Sequence, residues 1–242
     1  TNASLVSSTY ALPLTSVKYV PKANYSGSVT INYTATTRSG MTYSSTLTIQ
    51  VSSKTQSARF ADVDRTFNWA ADSVDFMYNY GIVKGVDTAM TKFNPNGKMS
   101  RGDLVLILYR MAGSPSVSGV SNPFSDVNTT HYYYNAILWA YNKGVVSGVG
   151  GGKFAPDRAV TREQIATILY QYNTKILGNG NSGSASLNGY KDAGKVSSYA
   201  TAAMQWAVGN GYVTGTTTTT LSPASTATRA QVAVMLHRLL TY

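Results

Sequence analysis

Three segments of this chain are copies of one pattern, and such a chain must fold as an array of similar units packed on one another. Phe60-Ala61-Asp62-Val63 returns as Phe124-Ser125-Asp126-Val127 and as Tyr190-Lys191-Asp192-Ala193. Gly81-Ile82-Val83-Lys84-Gly85 returns as Gly144-Val145-Val146-Ser147-Gly148 and Gly211-Tyr212-Val213-Thr214-Gly215. Phe93-Asn94-Pro95 becomes Phe154-Ala155-Pro156 and Leu221-Ser222-Pro223. Ser100-Arg101-Gly102-Asp103 becomes Thr161-Arg162-Glu163-Gln164 and Thr228-Arg229-Ala230-Gln231. Matching positions recur every 61–67 residues, longer than most helical repeats. Four blocks in fixed order, three times over, are a strong signal.

Each copy reads as two helices. The first stops at the leading glycine of the Gly-x-x-x-Gly block, which supplies a left-handed residue. Counting back from that glycine places Trp69, Tyr132 and Tyr199 at one equivalent position. Phe76, Trp139 and Trp206 fall two turns later, on the same face. The second helix starts at Ser100, Thr161 or Thr228, each a good N-cap. Three residues on come Asp103, Gln164 and Gln231, a capping box that is strict in the last two copies and approximate in the first. Apolar residues follow at helical spacing, as in Leu104, Ile107, Leu108 and Met111. One helix pair cannot bury both its faces; three pairs packed together can.

Ahead of the repeats the period changes to two. Ser28 to Thr34 and Tyr43 to Val51 alternate with β-branched and aromatic residues, with Arg38-Ser39-Gly40 as the turn between them. Val17-Lys18-Tyr19-Val20-Pro21 reads as an earlier, shorter strand. The expected fold class is therefore α+β by segments. A small β unit over 1–54 precedes three helix-pair repeats over 55–116, 117–182 and 183–242. The first residue is Thr1 rather than Met, no signal peptide opens the chain, and the chain reads as a processed or trimmed piece.

Composition narrows the function. The chain has no cysteine, which excludes disulfides and thiolate metal sites. Its two histidines, His131 and His237, have no ligand spacing, so neither metal nor cofactor is expected. No run of about 18 apolar residues is present, so membrane insertion is not expected. Lys and Arg number 20 against 10 Asp and Glu, a formal charge of +10. A basic surface attracts polyanions, but these basic residues are scattered, which argues against nucleic acid.

The candidate site is the arginine just inside each second helix: Arg101, Arg162 and Arg229. A helix start carries unpaired N–H groups and partial positive charge, so an arginine there is mildly unfavourable. Its planar fork suits carboxylate or phosphate. Three copies keep the unfavourable choice, and the simplest explanation is an anion at that point. A structural alternative stays open, in which the arginines pair with the repeats' own aspartates, Asp62, Asp126 and Asp192. Trp139 and Trp206 read as core. Trp69, Tyr132 and Tyr199 are balanced between core and a platform for sugars. Gly85, Gly148 and Gly215 are chiefly turn residues whose missing side chains also let a sugar approach the backbone.

Taken together these blocks resemble the S-layer homology family over about residues 58–242, in three copies. The family repeat has a Phe-x-Asp-Val start, an aromatic first helix, a Gly-Ile-Val-x-Gly turn, a Phe-x-Pro segment and a Thr-Arg-Ala-Glu motif opening the second helix. Residues 19–51 are similar to the second half of bacterial Ig-like or cadherin-like surface repeats, which makes 1–54 a partial Ig-like sandwich of four or five strands. The resemblance implies one pseudo-threefold unit with the second helices in a central bundle. It implies binding of an anionic secondary cell-wall polysaccharide, often pyruvylated, in grooves between copies, with Arg101, Arg162 and Arg229 meeting the pyruvate carboxylate. It also implies a secreted protein at the bacterial cell wall. The sequence departs from the family at the motif glutamate, here Asp103, Gln164 and Gln231, at Gly102, and in the threonine run Thr216 to Thr220. These changes keep the arginines and point to unequal sites or a polysaccharide of different chemistry.

Three functions compete. The first is a non-catalytic, monomeric carbohydrate-binding anchor. The second is a structural lattice protein whose repeats mainly self-assemble. The third is a glycosidase, which needs two carboxyl groups flanking the sugar bond. With Glu163 the single glutamate and no nucleophile–base set to draw, catalysis by this piece is not expected.

Overall fold

A computed structural model describes residues 27–36, 39–51 and 56–241. Strand β1 (Gly27–Thr36) pairs antiparallel with β2 (Thr42–Val51), with Val29 opposite Ile49 and Ile31 opposite Leu47. Period-two alternation puts Val29, Ile31, Tyr33, Tyr43, Leu47 and Ile49 on one face and a ladder of Thr, Ser and Asn on the other. Thr46 Oγ1 donates to Asn32 Oδ1 across that polar face at 3.1 Å. Gly40, with φ of +85°, makes the reversal. Among the described residues the β part is this two-stranded hairpin and not the Ig-like sandwich expected; a sandwich needs a second sheet to cover the apolar face. The expected strand Val17–Pro21 lies outside the described residues, as does Arg38 of the expected turn.

The six helices are α1 (Asn68–Asn79), α2 (Arg101–Met111), α3 (Tyr134–Asn142), α4 (Arg162–Lys175), α5 (Thr201–Gly209) and α6 (Arg229–Thr241). Each first helix ends at a left-handed glycine: Gly81, Gly144 and Gly211 have φ of +70°, +69° and +72°. In the first copy the Gly81 N–H reaches the Tyr78 carbonyl and the Ile82 N–H the Met77 carbonyl, which satisfies the last turn. The second helices are capped as their sequences predict. Thr161 and Gln164 exchange side chain-to-backbone bonds, as do Thr228 and Gln231. In the first copy Ser100 accepts from the Asp103 N–H, while the shorter Asp103 carboxylate takes the Ser100 hydroxyl instead of reaching the backbone.

The copies close into a ring. Helix α3 packs on α2, α5 on α4, and α1 on α6, so each first helix lies against the second helix of the preceding copy and the first copy closes on the third. These are the closest helix pairs, rather than the second helices with one another as a central bundle would imply. The second helices converge through the residues just before them. The Met99 N–H donates to the Ala227 carbonyl, Val160 to Met99 and Ala227 to Val160, at 3.0, 2.9 and 3.3 Å. These three fully buried residues form a cycle of backbone bonds on the pseudo-threefold axis. One aromatic pair marks each helix interface. Tyr109 meets Trp139 and Tyr170 meets Trp206, each with centroids 5.5 Å apart; in the third interface His237 stacks on Phe76 at 4.1 Å.

Candidate functional site

The motif arginines fold back onto the protein, Arg101 and Arg162 buried and Arg229 half-buried. Arg101 and Arg162 are 5% and 3% exposed. Arg101 Nε donates to the Phe154 carbonyl at 3.0 Å and Nη2 to the Ser147 carbonyl at 3.1 Å. Arg162 repeats this on Leu221 and Thr214, and Arg229 on Phe93 and Lys84. Each arginine thus crosses to the next copy and clamps its Phe-x-Pro loop and Gly-x-x-x-Gly turn. The backbone does the same: the Arg101 and Gly102 N–H groups donate to the Arg158 and Pro156 carbonyls, and their counterparts follow the same pattern. Arg101 and Arg229 also stack on Phe154 and Phe93, at 4.6 and 4.7 Å.

The helix-start N–H groups and two guanidinium nitrogens of each arginine are engaged by carbonyl oxygens, so the arginine has a structural role at that position whether or not an anion meets its remaining edge. Burial works against the charge of all three arginines and lowers their pKa.

The aspartates stand one step behind. Asp126 accepts the Phe154 and Ala155 N–H groups at 2.8 and 2.7 Å; Asp62 holds Phe93 and Asn94, and Asp192 holds Leu221 and Ser222, with the same lengths. Asn94, Ala155 and Ser222 have φ of +57°, +57° and +53°, and each lies in the loop that its aspartate ties down. Desolvation opposes the charge of Asp126, yet the two N–H groups hold its pKa below the usual carboxylate value. For Asp192 the Leu221 N–H dominates and the result is the same. The direct hydrogen bonds of the arginines therefore go not to their own copy's aspartate but to the loop that the next copy's aspartate organises.

Gly85, Gly148 and Gly215 are required by their own loops. A Cβ on Gly148 would lie 2.7 Å from the Lys153 carbonyl oxygen and 2.9 Å from Phe124; on Gly85 and Gly215 it would meet backbone at 2.6 and 2.2 Å. Gly102, the first copy's departure, is explained by Tyr133, whose ring would stand 2.9 Å from a Cβ there. The threonine run closes on itself, Thr217 bridging to Thr220 with their hydroxyls 2.6 Å apart.

Of the candidate aromatics, Trp69, Tyr132 and Tyr199 are exposed, at 41%, 68% and 59%, while Trp139 and Trp206 are core. Trp69 and Phe76 share α1, but in the other two copies the two sets do not share a helix as counted from sequence. Helices α3 and α5 begin only at Tyr134 and Thr201, so Tyr132 and Tyr199 lie in the tight turns ahead of them and project outward. The Tyr132 hydroxyl donates to Asp103 at 2.6 Å and the Tyr199 hydroxyl to Glu163 at 3.3 Å. Burial and then the neighbouring carboxylate raise the pKa of both tyrosines.

These pieces meet in a groove of about 910 Å³, lined by Arg101, Gly148, Arg158, Gln164 and Tyr199 among others. It draws on all three copies: the arginine from the first, the glycine turn and wall helix from the second, the tyrosine from the third. Arg158 went unrecognised in the sequence because its equivalents are Gly97 and Ser225, as the shared backbone bond from each motif arginine shows.

The S-layer homology domain model matches residues 59–105, 123–166 and 189–233, just over half of the chain. The chain belongs to the S-layer homology domain family. Each S-layer homology match begins just before the Phe/Tyr-x-Asp start and ends inside a second helix. The chain is similar to an amylopullulanase of Thermoanaerobacterium thermosulfurigenes, 27% identical over 96% of this chain and 13% of that protein. It is similar to a surface-layer 125 kDa protein of Lysinibacillus sphaericus, 28% identical over 75% of this chain and 15% of that protein. A cellulosome-anchoring protein of Acetivibrio thermocellus is 26% identical over 60% of this chain and 33% of its own length. The chain thus spans far less than two thirds of each of these relatives. Its S-layer homology copies place it among cell-surface, cell-wall-associated proteins.

Proposed function

We propose that this chain is a non-catalytic cell-wall anchor whose grooves bind acidic groups, such as pyruvate ketals, of a secondary cell-wall polysaccharide. The observation that carries it is Arg101. Two of its nitrogens are fixed on carbonyl oxygens, so its remaining edge is held in one direction inside a groove that also contains Arg158 and the exposed ring of Tyr199. A preorganised guanidinium loses little entropy on meeting a carboxylate, and tyrosine offers an amphipathic face to a sugar. The relatives support the same reading. Proteins named an amylopullulanase, a surface-layer protein and a cellulosome-anchoring protein each match this chain over only 13%, 15% and 33% of their length, as expected of an attachment module. Residues 55–116, 117–182 and 183–242 are then three units of one monomeric module, with 1–54 apart from them.

The test is co-sedimentation with purified sacculi before and after acid removal of the polysaccharide. Arginine-to-alanine variants of the motif would disturb the fold, so the informative changes are Tyr199→Ala and Arg158→Ala, both at exposed positions. Binding that requires the polysaccharide and weakens on order of tenfold in either variant, as loss of one charged or stacking contact would produce, supports the anchor. Equal sedimentation with stripped walls refutes it. The similarity to a surface-layer protein favours a second reading, a self-assembling lattice, which predicts sedimentation of the purified protein with no wall present.

A further inference from the structure

The three motif arginines are held on one plan but do not have the same charged neighbours. We propose that the groove of Arg101, Arg158 and Tyr199 is the site for a doubly charged anionic group on the glycan, and that Glu163 positions Tyr199 at its mouth. This rests on the anchoring reading and adds which groove leads and what charge it selects.

The residue beside the motif arginine differs in each groove. Arg158, Ser225 and Gly97 are equivalent, since each offers its carbonyl to the N–H of Arg101, Arg162 or Arg229. Only the first of these is charged, and Arg158 lines the same groove as Arg101. Arg158 is exposed, and the acid next to it, Asp157, accepts the Tyr133 hydroxyl at 3.0 Å. After burial, Arg158 is the strongest influence on Arg101 and disfavours its charge. For Arg162 and Arg229 the strongest neighbouring charge is instead a carboxylate, Asp192 and Asp103 respectively. The other copies do carry a second arginine further along the wall helix, Arg110 and Arg238. Each donates to a carbonyl of the glycine block, Ile82 at 3.3 Å and Gly211 at 3.2 Å, and the repulsion of Arg229 by Arg110 is outweighed by Asp103. Two guanidinium groups lining one groove, with no carboxylate among its lining residues, form a site whose repulsion a compact dianion relieves.

Carboxylate placement reinforces the difference. In the wall helix of the Arg101 groove the third position is the neutral Gln164, which lines the groove. The acid has moved one residue back to Glu163, which is 7% exposed and does not line it. Glu163 takes the Ser197 N–H at 2.9 Å, the Ser197 hydroxyl at 2.8 Å and the Tyr199 hydroxyl at 3.3 Å. Its charge is spent on the turn that carries Tyr199. The equivalent residues are Gly102 and Ala230, which have no such reach. In the Arg229 groove Asp103 stands at the wall, bonded to Tyr132, and opposes an incoming anion. Two chemistries share the selected property, a phosphate monoester and a pair of adjacent carboxylates.

The experiment uses the full chain and the Nε–Hε signals of Arg101, Arg162 and Arg229. Each is bonded to a carbonyl oxygen and is therefore protected enough to give a separate resonance. Inorganic phosphate at pH 7.5 and malonate serve as the two kinds of dianion, and acetate as the singly charged control. Expected is a shift of the Arg101 signal by at least one dianion at on the order of tenfold lower concentration than the other two signals, with acetate showing no such order. Whichever dianion acts first separates the phosphate from the dicarboxylate source. Arg158→Ser, which copies the third repeat, removes the preference. Glu163→Gln weakens the Arg101 groove several-fold, and in a Tyr199→Ala background it costs nothing further, a coupling that a purely structural role would not show. If both dianions act on the three signals alike, or on another groove first, the inference fails and wall anchoring stands. If no anion moves any signal and Tyr199→Ala sediments with walls as the wild type does, the anion-groove reading fails with it.

Discussion

His237 makes the closure of the ring sensitive to acid. It occupies the position that Tyr109 and Tyr170 hold in the other two copies, at the interface of α6 with α1. It is 3% exposed and stacked on Phe76; its Nδ1 meets the Ser73 hydroxyl at 3.0 Å, and its Nε2 has no hydrogen-bond partner. A second proton would add a charged donor with nothing to receive it. Burial, and then the neighbouring Arg238 charge, push its pKa down to about 4 from the ordinary 6.5. The other buried ionisable group on α1, Asp75, is engaged by the Ser57 hydroxyl and the Ala58 N–H. Between pH 6.5 and 4 the unfolded chain binds this proton and the folded chain does not. Stability is therefore complete above pH 6.5 and falls by about 1.4 kcal/mol for each pH step down to 4. From pH 7.5 to 4.5 the loss comes to about 2.5 kcal/mol. Carboxylates titrate nearby, so the measurement is a difference: urea unfolding followed by tryptophan fluorescence at both pH values, for wild type and His237→Phe. The phenylalanine keeps the stack and loses the Ser73 bond, a cost that does not change with pH. Wild type is expected to lose about 2.5 kcal/mol more than the variant on acidification. Equal losses would refute the assignment, as would a His237 proton resonance that titrates near 6.5.

Arg101→Ala leaves the Phe154 and Ser147 carbonyls without their charged donor and is expected to cost about 3 kcal/mol in chemical denaturation. Asp126→Ala strips the acceptor from two converging N–H groups and is expected to cost about 2 kcal/mol, by the same assay. Because the folded-state pKa of Asp126 lies below its unfolded value of 3.8, the stability it contributes is present above that value and is lost as pH falls below it. Gly148→Ala drives a Cβ into the Lys153 carbonyl, a backbone atom that cannot swing aside, and is expected to lower stability by about 2 kcal/mol.

Local features of the fold were legible because they are set by neighbours in sequence. The N-caps at Thr161 and Thr228 and the stop at Gly81 follow from chemistry within a few residues. The burial of Trp139 and Trp206 was legible because large apolar side chains at helical spacing have nowhere else to go. What a repeat conceals is adjacency. Aligning three copies shows that Arg101, Arg162 and Arg229 are equivalent, but not whether each works within its copy or on the next. Both arrangements preserve the same alignment. The structure takes the second, each arginine reaching Phe154, Leu221 or Phe93 in the following unit.

Alignment also hides the residues in which the copies differ, since a pattern is defined by what they share. Arg158, Glu163 and His237 each replace small, neutral or aromatic residues in the other copies; Arg158 and His237 lie outside the repeated blocks, and Glu163 sits inside one at a position the copies do not share. The ring gives these singular residues their consequence. Every interface joins the second helix of one copy to the first helix of the next, and the groove described takes its arginine, wall and aromatic from three different copies. A change in one copy is thereby felt at its two neighbours. Loosening α1 from α6 at His237 acts on the same two helices that begin at Arg229 and carry Trp69. Acid stability and the proposed wall binding thus draw on the same helices, although His237 lines no part of the Arg101 groove.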